Sequence, residues 1–225
     1  MKPIGLIGGI GPESTIIYYR AILARVRNAP ILINSIDVTR VLDLAGRGAR
    51  EEMAEWMLRE LDVLARAGAR VGAFASNTPH LVFDAVQRRA PLPLVSIVDA
   101  AAGAVADAGM RRVALFGTKF TMSGGFYADV FSRRGIEVIV PDEREQDFIH
   151  GKYVGELLNN IFSDETRAAI LAIATSLRER AHVEGVILGG TELPLLITQH
   201  EHDGLRLLDT MQIHVERIVA AASEP

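Results

Sequence analysis

Cysteine is absent from all 225 residues, which excludes disulfides, thiolate metal sites and any thiol acting as nucleophile, acid or base. Aromatic side chains are scarce at 6%, with one tryptophan, Trp56. Neither sign of charge dominates. The 24 basic and 28 acidic side chains leave a net charge of −4, so no basic excess favours a polyphosphate chain, and nucleic acid is not an expected partner. No apolar run reaches the roughly 18 residues of a membrane span, so no membrane partner is expected either. Residues 1–5 lead straight into patterned sequence rather than a signal peptide, which points to a cytoplasmic protein. Nucleotide motifs are incomplete as well. No Gly-Lys-Ser/Thr occurs, and a G-x-G-x-x-G frame read from Gly9 meets Ser14 at its third glycine, with Pro12 and Glu13 where a pyrophosphate would approach.

What remains is a chain rich in apolar residues, 49% of the total with a mean hydropathy of +0.20, which is ample for a buried core. Short apolar runs alternate with helical patterns. Ile4-Gly5-Leu6-Ile7 enters the glycine loop Gly8-Gly9-Ile10-Gly11, and a helical pattern follows over 15–26. Strand-like runs lie at 31–36, 71–75, 113–116, 137–140 and 183–188, with helical patterns at 51–67, 98–108 and 165–181. Such alternation implies parallel strands joined by crossover helices. The second half repeats the plan of the first, strand then glycine loop then helix. The expected fold is therefore α/β, built as two pseudo-symmetric parallel-sheet domains with the active site in the cleft between them. Residues 1–97 plus 208–225 would form the first domain and 98–207 the second. The proline-stiffened segment 91–97 is the expected crossing point, and the tail from 207 to 222 is expected to return to the first domain.

Polar residues cluster at the predicted strand ends. Ser76-Asn77-Thr78-Pro79-His80 and Gly190-Thr191-Glu192-Leu193-Pro194 occupy equivalent points of the two halves, where hydroxyls and backbone donors can converge on an oxygen anion. Asn77, Thr78, Thr118, Thr121 and Thr191 are the candidates for binding a small carboxylate, with the free N–H groups of the Gly9 loop as a further anion cradle. Helix capping by the same Ser, Thr and Asn residues is the competing explanation. Arg40 and Lys119 are cations near strand ends that suit either a carboxylate or solvent. His200-Glu201-His202-Asp203 lacks helical ligand spacing and reads as a polar loop, so no metal is expected. Trp56 falls on a helical stripe with Met53, Met57, Leu61 and Leu64, which reads as core or dimer packing.

These motifs resemble the cofactor-independent aspartate/glutamate racemase family. Gly8-Gly9-Ile10-Gly11-Pro12-Glu13 is similar to its first loop, Asn77-Thr78-Pro79-His80 to its first active-site motif, and Gly189-Gly190-Thr191-Glu192-Leu193-Pro194 to its second; Gly117-Thr118-Lys119-Phe120-Thr121-Met122, Phe126-Tyr127 and Asp209-Thr210 also match. The resemblance implies an isomerase without a cofactor, a small acidic amino acid or related carboxylate as substrate, and a homodimer. It also implies two cysteines, one on each face of the substrate, as thiolate base and thiol acid. Here Ser76 and Gly190 stand at those positions. A serine hydroxyl is a far weaker acid than a thiol, and glycine carries no proton at all. Ordinary two-thiol racemisation is thereby excluded. Three readings stay open: altered proton-transfer chemistry drawing on Glu192, His80, Glu13 or water; a catalytically silent carboxylate binder; and deliberate replacement of both cysteines, which the use of two different residues, Ser and Gly, disfavours. If the pocket is otherwise intact, cysteine at both 76 and 190 is expected to restore turnover.

Overall fold

The structure, a computed structural model, describes residues 1–224. It divides into two compact units, the first comprising Met1–Ala100 and the chain from Met211 onward, the second Ala101–Thr210. These borders lie three residues beyond those read from the sequence, and the first falls within the helix Ile97–Asp107.

The first sheet contains β1 (Ile4–Gly8), β2 (Ile31–Ser35), β3 (Val71–Phe74) and β4 (Leu94–Val95), in the order β2-β1-β3-β4 and parallel throughout. The second contains β5 (Arg112–Phe116), β6 (Glu137–Ile139), β7 (Gly185–Leu188), β8 (Glu201–His202) and β9 (Leu205–Asp209), in the order β6-β5-β7-β9-β8. Apart from the antiparallel edge strand β8, the second order repeats the first strand for strand. The internal repeat read from spacing is thus a repeat of topology.

Burial explains the composition of each strand. β1 and β3 are buried at every residue, as interior strands of a parallel sheet covered on both faces must be. The edge strand β2 is only partly covered. The helix Arg50–Arg66 presents Met53, Trp56, Met57, Leu61 and Leu64 to the first sheet, all at most 5% exposed, so the tryptophan stripe is core. Each such side chain contributes roughly 1.5–3 kcal/mol on burial. The guanidinium of Arg40 lies over the Trp56 ring at 4.4 Å, a cation–π contact that accounts for this cation without a ligand.

Three sequence expectations are corrected. Leu94–Val95 is not merely a stiff link but the edge strand β4, paired with Gly72 and Ala73. The stretch around His200 is not a plain loop, because Glu201 and His202 pair antiparallel with Arg206 and Leu205 across a turn at Asp203 and Gly204, both in the left-handed region. And residues 207–209 do not begin the return to the first unit: they belong to β9, which lies parallel to β7. The return is made by the helix Thr210–Ser223, whose Met211, Val215, Ile218 and Ala222 pack on Ile4, Leu6, Tyr18 and Ile22 of the first unit.

Candidate functional site

In each unit the loops following two neighbouring parallel strands emerge side by side, as pairing of Ile7 with Phe74 and of Phe116 with Leu188 requires. The first unit thereby brings together the Gly9 loop and Ser76-Asn77-Thr78. The second brings together Gly117-Thr118 through Thr121 and Gly190-Thr191-Glu192.

The Gly9 loop is built for packing. Gly9 has φ +84, and a methyl group there would overlap the Ile36 carbonyl oxygen and fall 2.7 Å from the Ile36 nitrogen. Its N–H donates to the Thr15 hydroxyl at 2.9 Å, so this donor is committed inside the protein. Glu13 lies in the first turn of the helix Pro12–Arg25, where the helix dipole favours a carboxylate.

Ser76, Asn77 and Thr78 are buried at 6%, 2% and 4% exposure, at the entrance to a short 3₁₀ turn, Thr78–Val82. The Asn77 side chain does not cap that turn, so helix capping does not account for this residue. Beneath lies His80, 3% exposed, stacked on Phe83 at 4.8 Å and edge-on to Phe74 at 5.8 Å. Its Nε2 accepts from the Ile97 N–H at 3.2 Å. Burial, and secondarily the neighbouring His214, lower its pKa from 6.5 to about 3. His80 is therefore a neutral acceptor at neutral pH and holds the N-terminus of the helix Ile97–Asp107. It is a structural residue and not a proton carrier.

A second buried histidine lies in the same unit, at a position no motif singles out. His214 sits at 0% exposure, its Nε2 2.9 Å from the Val95 carbonyl oxygen and its Nδ1 2.9 Å from the Tyr18 hydroxyl. A carbonyl can only accept, so Nε2 carries the proton and Tyr18 donates to Nδ1. Burial lowers this imidazole to about 4.

In the second unit, capping does explain Thr118. Its hydroxyl accepts from the Thr121 N–H at 3.2 Å and lies 3.1 Å from the Thr121 hydroxyl, at the start of the helix Lys119–Ser123. Lys119 is tied to Asp147 at 2.5 Å. Thr191 and Glu192 are each 1% exposed, and the Thr191 hydroxyl donates to Glu192 Oε2 at 3.0 Å. The same oxygen accepts a hydrogen bond from the phenol of Tyr153.

Tyr153 is the site residue that sequence reasoning missed. It sits on the helix Glu143–Gly155, whose start is fixed by a reciprocal capping box between Asp142 and Glu145. One turn before it, Ile149 shares the buried face, the i,i+4 stripe that points both side chains into the core. Burial first, then the Glu192 charge, push the phenol well above its usual range, so it stays protonated. A Cβ added at Gly190 would overlap Tyr153 Cε2 and lie 2.9 Å from Cζ and 3.0 Å from Oη. The tyrosine ring therefore fills the space a side chain at 190 would enter. A cysteine at 190 therefore requires the Tyr153 ring to shift. Among the described residues no group of three or more His, Cys, Asp and Glu is placed to hold a metal ion, and no helix is long and apolar enough to cross a membrane.

Comparison with known proteins agrees with the fold. A crystal structure from Pyrococcus horikoshii OT3, described as an aspartate racemase homologue, is 36% identical with complete coverage of both chains and a TM-score of 0.81. A Yersinia pestis protein provisionally named an Asp/Glu racemase is 33% identical, again over the whole of both chains, with a TM-score of 0.86. Glutamate racemase from Francisella tularensis, solved with D-glutamate, shares the fold at 17% identity, with 98% of this chain and 80% of that one covered and a TM-score of 0.74. The sequence profile of the Asp/Glu/hydantoin racemases matches residues 7–218. With nearly the whole chain so matched, and both strand-end loops in place on a repeated sheet, the protein belongs to the Asp/Glu/hydantoin racemase family.

Proposed function

We propose that the protein is a cofactor-independent isomerase-type enzyme acting at the α-carbon of a small acidic amino acid, aspartate or glutamate, or of a closely related carboxylate. One observation carries this reading: a buried polar loop recurs at the C-terminal end of the equivalent strand in both units, Ser76-Asn77-Thr78 after β3 and Gly190-Thr191-Glu192 after β7. Ligands of open parallel sheets bind at such strand ends. The names of the related proteins support an acidic amino acid as the substrate class.

In this reading Asn77, Thr78, Thr118 and Thr121 supply hydroxyl and amide donors to the substrate carboxylate, and Thr191, whose hydroxyl is engaged by Glu192, offers its backbone N–H. Negative charge grows on those carboxylate oxygens as the Cα–H bond breaks, so donors held in place by burial stabilise the transition state more than the ground state. Gly9 acts through the shape of its loop. Ser76 and Gly190 mark the two proton-transfer positions, but with no thiol at either, the chemistry differs from two-thiol racemisation. The Ser76 hydroxyl serves as a hydrogen-bond donor, and Glu192 provides the carboxylate of the second loop. A homodimer is expected, with a cytoplasmic location.

Incubation with L- and D-aspartate and L- and D-glutamate in deuterated water, followed by proton NMR, tests the reading. Loss of the α-proton signal from at least one of the four is the expected result. Silence from all four, together with calorimetric binding of any of them, would instead make the protein a carboxylate binder.

A further inference from the structure

We propose that Tyr153, partnered by Glu192, is the acid–base group of the second unit, standing in the space that a side chain at position 190 would occupy. The proposal rests on the α-carbon chemistry proposed above and names the group that performs it where glycine carries none.

Three observations converge. The phenol oxygen lies 3.0 Å from the place of a Cβ on residue 190, with ring atom Cζ at 2.9 Å, so the aromatic ring is a steric substitute for the missing side chain. Its hydroxyl donates to Glu192 Oε2, which also accepts from the Thr191 hydroxyl at 3.0 Å. Finally, Tyr153, Thr191 and Glu192 are 5%, 1% and 1% exposed, so phenol and carboxylate interact away from bulk water. Buried hydrogen bonds to an ionised group are the strong class.

The proton balance of the step is simple. As the substrate Cα–H bond breaks, its proton passes to the phenol oxygen while the phenol's own proton passes to the Glu192 carboxylate. The substrate becomes an enediolate, Tyr153 remains a neutral phenol, and Glu192 becomes a neutral acid. Return of the proton runs the same path backwards. Tyrosine is an established general acid–base side chain, and such assistance accounts for roughly 10²–10⁴-fold in rate. Glu192 acts through Tyr153 and is a positioning and proton-storing residue.

The experiment compares the full-length protein with Tyr153→Phe and Glu192→Gln in the same deuterium-exchange assay across pH, with calorimetric affinity for each amino acid measured in parallel. Tyr153→Phe keeps the ring and removes the hydroxyl. It is expected to slow α-proton exchange by about 10²–10⁴-fold while affinity changes by only a few fold. Glu192→Gln is expected to remove the acid limb of the pH profile, which a purely structural role would leave in place. Should Tyr153→Phe prove insoluble, loss of that limb in Glu192→Gln alone carries the test, and its retention overturns the proposal. Wild-type exchange with Tyr153→Phe within threefold of it overturns the proposal and leaves the proposed function standing. Absence of exchange in the wild-type protein removes the proposed function and this pair with it.

Discussion

The two units share a strand order but divide their chemistry unequally. After β3 the first unit offers Ser76, Asn77 and Thr78, which are neutral hydrogen-bonding groups over a histidine that burial keeps deprotonated. After β7 the second unit offers a phenol that donates to a carboxylate, its ring in the space left by a glycine. Duplication of a scaffold therefore need not duplicate its chemistry. One loop can become a pure donor set while its counterpart holds the titratable pair, because side chains at strand ends are set independently of the hydrogen-bonded ladder beneath them.

Acid offers the largest way to separate the units. His80 and His214, both in the first unit, have folded pKa values of about 3 and about 4 against 6.5 for a free imidazole. The unfolded chain therefore binds more protons than the folded one as the pH falls below 6.5. The stability these neutral imidazoles carry is complete above that value and is lost as pH drops towards about 4 and about 3. At pH 5 the loss is about 2 kcal/mol for each, taking 1.36 kcal/mol per pH unit. Hydrogen exchange between pH 7 and pH 4.5 is expected to show first-unit amides losing protection before those of the second; simultaneous loss would show that the units unfold as one.

Glycine replacement in the two strand–loop junctions sharpens the contrast. Gly9→Ala places a methyl in the left-handed region and against the Ile36 backbone, which cannot give way, and is expected to cost about 3 kcal/mol or more. Gly117→Ala meets the Gly189 carbonyl oxygen at 2.6 Å but needs no positive φ, so a smaller loss is expected. Denaturant midpoints of the two variants check the order.

Cysteine scanning distinguishes the two proton-transfer positions directly. Gly190→Cys should lower stability by about 1–3 kcal/mol through overpacking against Tyr153, several degrees in melting temperature for a chain of this size. Ser76→Cys exchanges side chains of similar size and is expected to stay within about 0.5 kcal/mol of wild type. Equal melting temperatures for the two variants would mean that Tyr153 moves aside without cost. On the first unit's buried network, Tyr18→Phe leaves His214 Nδ1 without its donor and is expected to cost about 1 kcal/mol in the same melting-temperature comparison.

Much of this architecture was legible in advance, and the exceptions have physical causes. β1, β3, β5 and β7 are interior strands of apolar residues, so their runs stand out against the helices that flank them. β4 escaped because it is two residues long and sits directly after Pro93. β8 and β9 escaped because their hairpin is polar at its tip and the turn depends on Asp203, a non-glycine residue at φ 48. Within the site, the strand-end loops are contiguous in sequence and could be recognised. Tyr153 lies 39 residues from its partner Glu192, on a helical stripe where a tyrosine reads as ordinary core. A glycine where a side chain was expected signalled that something else fills the space. Only the fold says which residue it is.

The interlock of ring and glycine also constrains how this lineage can change. A thiol introduced at 190 by one substitution meets an aromatic already in place and lowers stability. Trimming the aromatic removes one of the donors to the neighbouring carboxylate. The two positions are therefore coupled, and a change at one is expected to alter the cost of a change at the other.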